Sequence, residues 1–134
     1  MLAIYSYQKV SGESFVFPKD SSGNQMGVEL CTLSGTTYVS IPDGYALPAQ
    51  PTGITPSQES LPLAAALHDS ICEASPYVAQ INQQIRAKIA QKYEISDEIR
   101  ALRLGTTDAG WSTYNTYVES CHSWGASQKA LLGL

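Results

Sequence analysis

Two histidines and three cysteines are the only side chains in this 134-residue chain that could act as a neutral-pH base, a thiolate nucleophile or a soft metal ligand. His68 and Cys72 lie four apart in a segment with helical spacing, which puts them on one side of a helix, but two ligands alone make no metal site. Cys121 and His122 are adjacent and so point in different directions. Cys31, Cys72 and Cys121 are odd in number, far apart and never in a C-x-x-C pair. They read as small core hydrophobes, with neither a disulfide framework nor a zinc site, and Cys72 as a partly buried thiol beside a surface histidine. The chain carries no G-x-S-x-G turn and no glycine-rich phosphate loop, so an enzyme built on His68 or His122 is the weakest of the readings, and no cofactor is expected. Asp97 and Glu98 could be imagined as an acid and a base. Their place in the first turn of a predicted helix is explained by its positive end, and with Glu94, Arg100 and Arg103 they make a self-compensating charged surface.

The distinctive side chains are aromatic. Trp111, Tyr114, Tyr117, Val118, Cys121, Trp124, Gln128 and Leu131 recur at three- and four-residue intervals, so both tryptophans and two tyrosines share one broad helical face. Such a face needs a cover, because burying each ring contributes roughly 1.5 to 3 kcal/mol or more. The cover is either the chain's own isoleucines Ile81, Ile85 and Ile89 or another protein, since protein interfaces favour aromatics with a polar tip. Trp111, Tyr114, Tyr117 and Trp124 are therefore the candidate protein-binding residues. One division puts Tyr114 and Trp124 inward, with Trp111 and Tyr117 toward a partner.

The elements that must position them are helical. Ser75 can cap a helix that opens with Pro76 and runs from Tyr77 to Tyr93, with Val78, Ile81, Ile85 and Ile89 as its buried stripe. Ser96 can cap a helix from Asp97 to Leu104, which Gly105 stops. The aromatic helix opens near Asp108, and an earlier one, carrying Leu63, Leu67 and Ile71, begins near Pro62. Upstream the pattern is extended. Leu2–Tyr7 and Phe15–Phe17 read as short strands, and Asp20, Ser21, Ser22, Gly23, Asn24 as a loop. Val28–Leu33 and Thr36–Ile41 flank Ser34-Gly35 as a tight hairpin. Between the two regions Pro48, Pro51, Pro56 and Pro62 predict an extended path with few internal contacts. The expected architecture is α+β: a small antiparallel β module at 1–44, a Pro-rich linker at 45–62, and a helical region of three to four helices at 63–134.

A hydrophobic content of 43% is that of a folded chain, and a net charge of −4 is mild. Residues 1–60 hold two lysines and five acids, and residues 61–134 hold six basic and seven acidic side chains. Neither stretch offers the basic stripe that nucleic acid requires. No apolar run has the length of a membrane span, and Met1–Val10 lacks the pattern of a secretion signal, so a soluble protein made in a cytoplasm is expected.

Three stretches resemble the small tail-fibre assembly proteins of tailed bacteriophages and prophages: Tyr38-Val39-Ser40-Ile41-Pro42-Asp43-Gly44 with the Pro-rich bridge after it, Ile99-Arg100-Ala101-Leu102-Arg103, and Trp111-Ser112-Thr113-Tyr114-Asn115-Thr116-Tyr117-Val118. The ending His122–Leu134 departs from the proline-bearing ending of that family. The resemblance implies a non-enzymatic protein that binds a phage tail fibre or another tail or baseplate protein, acting in the host cytoplasm during assembly. A permanent structural subunit of the virion tail, baseplate or fibre attachment is the alternative, and self-association is left open.

Overall fold

The structure, a computed structural model, describes residues 2–134. Four strands, β1 (Ala3–Gln8), β2 (Val28–Leu33), β3 (Thr36–Ile41) and β4 (Ser57–Gln58), precede four helices, α1 (Ala65–Ala74), α2 (Pro76–Lys92), α3 (Ile95–Leu104) and α4 (Ala109–Ala130). The fold is α+β, as the sequence pattern predicts. By compactness the chain divides into two units, Met1–Ala79 with Lys129–Leu134, and Gln80–Gln128.

The first unit is built on a four-stranded antiparallel sheet in the order β2-β3-β1-β4. Its hairpin forms where the sequence places it. Ser34 and Gly35 take φ of 49° and 84°, the paired positive values of a primed turn, whose twist matches that of the strands it joins. Both faces of the sheet are covered. On one, Ile4, Leu30, Cys31 and Ile71 of α1 form a buried cluster, joined by Leu63, Leu67, Leu132 and Leu134. Leu30 and Cys31 are neighbours in sequence yet share that cluster. The register slips between Glu29 and Cys31, and such a bulge turns two successive side chains to one side.

On the other face Tyr7, Val39 and Ile54 are buried under Tyr5, Val10, Phe15 and Phe17. Phe15–Phe17 is not a strand, contrary to its β-favouring composition. Phe15 stacks on Tyr7 at 4.7 Å between ring centroids, and Phe17 meets Phe15 edge-on at 5.0 Å. The Gln50 carboxamide accepts from the Val16 N–H and donates to the Val16 carbonyl, both at 2.8 Å, and so supplies the two bonds a neighbouring strand would give. The Pro-rich stretch is also more engaged than its composition suggests. Ile54 is 5% exposed, Ser57–Gln58 pairs with β1, and Ser6 donates to the Glu59 carboxylate at 2.6 Å. Prolines hold this segment extended, the conformation it needs to lie along β1.

The helix ends show where local signals compete. Ser75 does not cap α2 through its side chain. Its N–H donates to Ile71 at the end of α1, its carbonyl accepts from Ala79 in α2, and its buried hydroxyl has no hydrogen-bond partner among the described residues. The backbone of one residue thus serves two helices. Ser96 likewise gives way, because α3 begins two residues earlier than expected, at Ile95. Glu94 is its cap, and Asp97 accepts the Glu94 N–H at 3.1 Å in a capping box. Asp108 opens α4 by accepting the Gly110 N–H at 2.7 Å.

In the second unit the predicted stripe is buried at Ile81 and Ile85, while Ile89 is half-buried. Facing it on α4 is the buried Gly125, one turn after the buried Cys121. A Cβ on Gly125 would lie 2.9 Å from Ile85 Cγ1 and closer still to Ile85 Cδ1, so the missing side chain is what lets the two helices approach. Ile85→Ala is expected to cost about 2 to 5 kcal/mol in urea unfolding. Gly125→Ala is expected to cost about 1 to 3 kcal/mol by overpacking. In an Ile85→Ala background the Gly125→Ala cost should largely vanish, a coupling of roughly 1 kcal/mol or more. Strict additivity would place the two residues apart.

Candidate functional site

At the C-terminal end of α2 the chain turns through α3 into α4, and the three helices enclose an open groove of about 560 Å³. Lys92 and Tyr93 line it from the end of α2, Asp97, Arg100, Ala101 and Leu104 from α3, and Asp108, Gly110 and Tyr114 from the start of α4. Each helix contributes for a local reason. Tyr93 follows α2 directly, and its N–H still bonds to Ile89. Asp97 and Asp108 are in the groove because they are cap residues, and caps cluster where helices begin. Arg100, Ala101 and Leu104 recur at the three- and four-residue spacing that makes one side of α3.

Tyrosines form the groove's wall. Tyr114 meets Tyr93 edge-on at 5.1 Å and 90°, and donates its hydroxyl to Glu98 at 3.1 Å. Burial, then the hydrogen bond and charge of Glu98, push the Tyr114 phenol above its ordinary pKa. The groove's charges are not equivalent. The Asp97 and Asp108 carboxylates are each held by a backbone N–H at a helix start. Lys92 and Arg100 form no ion pair among the described residues. Lys92 lies instead over the rings of Tyr117, at 4.5 Å, and Tyr93, at 5.8 Å. The groove therefore offers two cations outside any ion pair among the described residues, beside a tyrosine wall and an apolar strip of Ala101 and Leu104.

The four aromatic candidates are all half-buried. Tyr114 lines the groove. Tyr117 donates its hydroxyl to the Lys88 carbonyl at 2.8 Å and packs on Tyr93 at 5.7 Å, while Trp124 lies under the Lys88 ammonium at 4.4 Å. Three of the four are thus in contact with the chain's own α2 or α3. Burial also pushes the Tyr117 phenol up. The groove residues Lys92, Tyr93, Leu104 and Asp108 were not foreseeable as a set, because they come from separate segments and only the turns at each end of α3 bring them together.

Of the histidines and cysteines, His68 and Cys72 meet across one turn of α1. Cys72 Sγ lies 3.8 Å from His68 Nε2 and 3.9 Å from Nδ1, and His68 Nδ1 is 3.3 Å from Asp69. Burial raises the pKa of Cys72 and of Cys31, which keeps both as thiols. Among the described residues no three His, Cys, Asp or Glu side chains come together as a metal site, and His122 is exposed beside a buried Cys121. No helix among them is long and apolar enough to cross a membrane. A smaller concavity of about 290 Å³ lies on the sheet unit between Tyr7, Phe15 and Phe17, with Lys9 and Glu29 paired at 2.9 Å beside it.

The raised Tyr114 pKa has a definite sign. Its stabilising contribution is complete below the ordinary tyrosine value of about 10 and is lost as pH rises through the higher folded-state value. Ultraviolet difference titration of the protein against Tyr114→Phe should show the Tyr114 phenol ionising above that value, and Glu98→Gln should bring it part of the way back. An unshifted titration would mean that Tyr114 is solvated and that the groove lacks this wall. Comparison of the chain with family models, curated proteins and solved structures finds no match.

Proposed function

We propose that this chain is a non-enzymatic assembly factor for bacteriophage tail fibres, gripping a segment of a fibre or other tail protein in the groove between α2, α3 and α4. The observation that carries this reading is a convergence. The two C-terminal stretches that resemble tail-fibre assembly proteins, Ile99–Arg103 and Trp111–Val118, both border the groove, through Arg100 and Ala101 on one side and Tyr114 on the other. The groove's chemistry suits a protein segment. Tyrosine walls supply contact area while ordering few torsions, and the Lys92 and Arg100 cations select a segment with a carboxylate beside an apolar side chain.

Co-expression of the chain with a bacteriophage tail-fibre protein, followed by pull-down, tests the reading. A complex is expected, with fibre trimers recovered in higher yield than without the chain. Arg100→Glu with Lys92→Glu, or Tyr114→Ala, should weaken the complex roughly tenfold or more, the effect of removing an interface anchor. A fibre that trimerises equally well alone, with no complex recovered, would rule the proposal out. Proteomics of purified particles separates the two forms of the role, since a stoichiometric amount marks a permanent virion subunit and absence marks a transient factor.

A further inference from the structure

α3 has its apolar residues on the wrong side for its own unit. Of Ile95, Ile99, Ala101, Leu102 and Leu104, only Ala101 is buried. Ile95, Ile99 and Leu102 are 75%, 47% and 67% exposed. At spacings of four and three these side chains fall on one ridge, about 100° of rotation per residue apart, on a side of the helix different from that of Arg100, Ala101 and Leu104, which line the groove. A water-facing row of this kind on a ten-residue helix is costly unless something covers it in use.

The charges beside the ridge indicate what covers it. Glu98 flanks the row on one side and Arg103 on the other, five residues further along. When two identical helices lie parallel with such a row as their seam, the flank of one faces the opposite flank of the other, offset by five residues, which is where coiled coils place their interhelical ion pairs. Antiparallel pairing would instead set Glu98 against its own counterpart. Within the row, Ile99 followed by Leu102 is the dimer-forming order, a β-branched residue and then a leucine three residues on.

We propose that α3 is a self-association surface. It pairs in parallel with α3 of a second copy of this chain, with Ile95, Ile99 and Leu102 forming the seam and Glu98 of each copy reaching Arg103 of the other. Glu98 gives one carboxylate oxygen to the Tyr114 hydroxyl, and that bond holds the side chain at the flank of the ridge. Three side chains per copy bury far less than a standard interface, so the pair is weak and forms with rising concentration. The groove lies on another side of α3 and stays open when the ridge is covered.

Sedimentation equilibrium of the full chain from about 10 µM to about 1 mM, the range in which so small an interface is populated, should show a monomer–dimer equilibrium. Ile99→Asp should leave only monomer. Arg103→Glu, which turns two attractive pairs repulsive, should weaken the dimer roughly tenfold. Arg103→Glu mixed with Glu98→Arg should restore association, because each copy then carries the charges the other lacks. Mild oxidation should cross-link Ile95→Cys to itself, above the background of the unsubstituted chain, because parallel pairing places each ridge residue beside its own counterpart. A monomer across the whole range, a dimer indifferent to Ile99→Asp and Arg103→Glu, or an Ile95→Cys chain that cross-links only to Leu102→Cys would each overturn the proposal.

Discussion

The helical unit depends on a missing side chain. Gly125 leaves room for Ile85, and there the backbone of α4 comes close enough to α2 for the rings on both sides of that point to find partners. From this approach follow the Tyr117 hydroxyl on the Lys88 carbonyl, Trp124 under the Lys88 ammonium, and the three-way meeting of Tyr93, Tyr114 and Tyr117. A methyl group at Gly125 would have to displace a buried isoleucine in a densely packed interior, where there is little free volume to absorb it. The polar tips of two rings follow the same logic, since the half-buried Tyr114 and Tyr117 hydroxyls each find an acceptor as they lose water.

The sheet unit solves a different problem. A small antiparallel sheet needs something packed against it to be stable, and this one is covered on both faces by segments of unlike kind. α1 and the last residues of the chain supply aliphatic side chains on one face. Two phenylalanines from an irregular segment, together with Ile54 from the Pro-rich stretch, supply the other. In that irregular segment the Gln50 side chain takes the place of a neighbouring strand at Val16, satisfying both its N–H and its carbonyl.

α3 is held differently from its neighbours. One buried alanine, a hydroxyl on Glu98 and a capping box at its start fix it in place, while most of its apolar surface faces outward. A helix anchored through so little of its own hydrophobic surface is free to present that surface, and its two usable sides differ in chemistry. One borders a groove with cations and tyrosines, and the other is an aliphatic ridge flanked by opposite charges. This asymmetry is why a peptide segment and a second copy of the chain are assigned to separate sides of the same helix.

The amino-acid sequence by itself determined the α+β order, the Ser34–Gly35 hairpin, the start of α2 at Pro76, the end of α3 before Gly105 and the opening of α4 at Asp108. These are settled by sterics and hydrogen bonds within four or five residues, so the chain carries them locally. It also displayed the Ile95, Ile99, Leu102 spacing, although spacing does not say whether a stripe meets its own core or water. Tertiary structure alone decided that Phe15–Phe17 would be a cover and not a strand, that the Ser75 hydroxyl would be buried without capping α2, that Glu94 would displace Ser96 as a cap, and that Lys92, Tyr93, Arg100 and Tyr114 would share a groove. In each of these, groups distant in sequence compete for the same hydrogen bond or the same apolar surface, and the winner is set by the packing of the whole unit, which no short window of sequence contains.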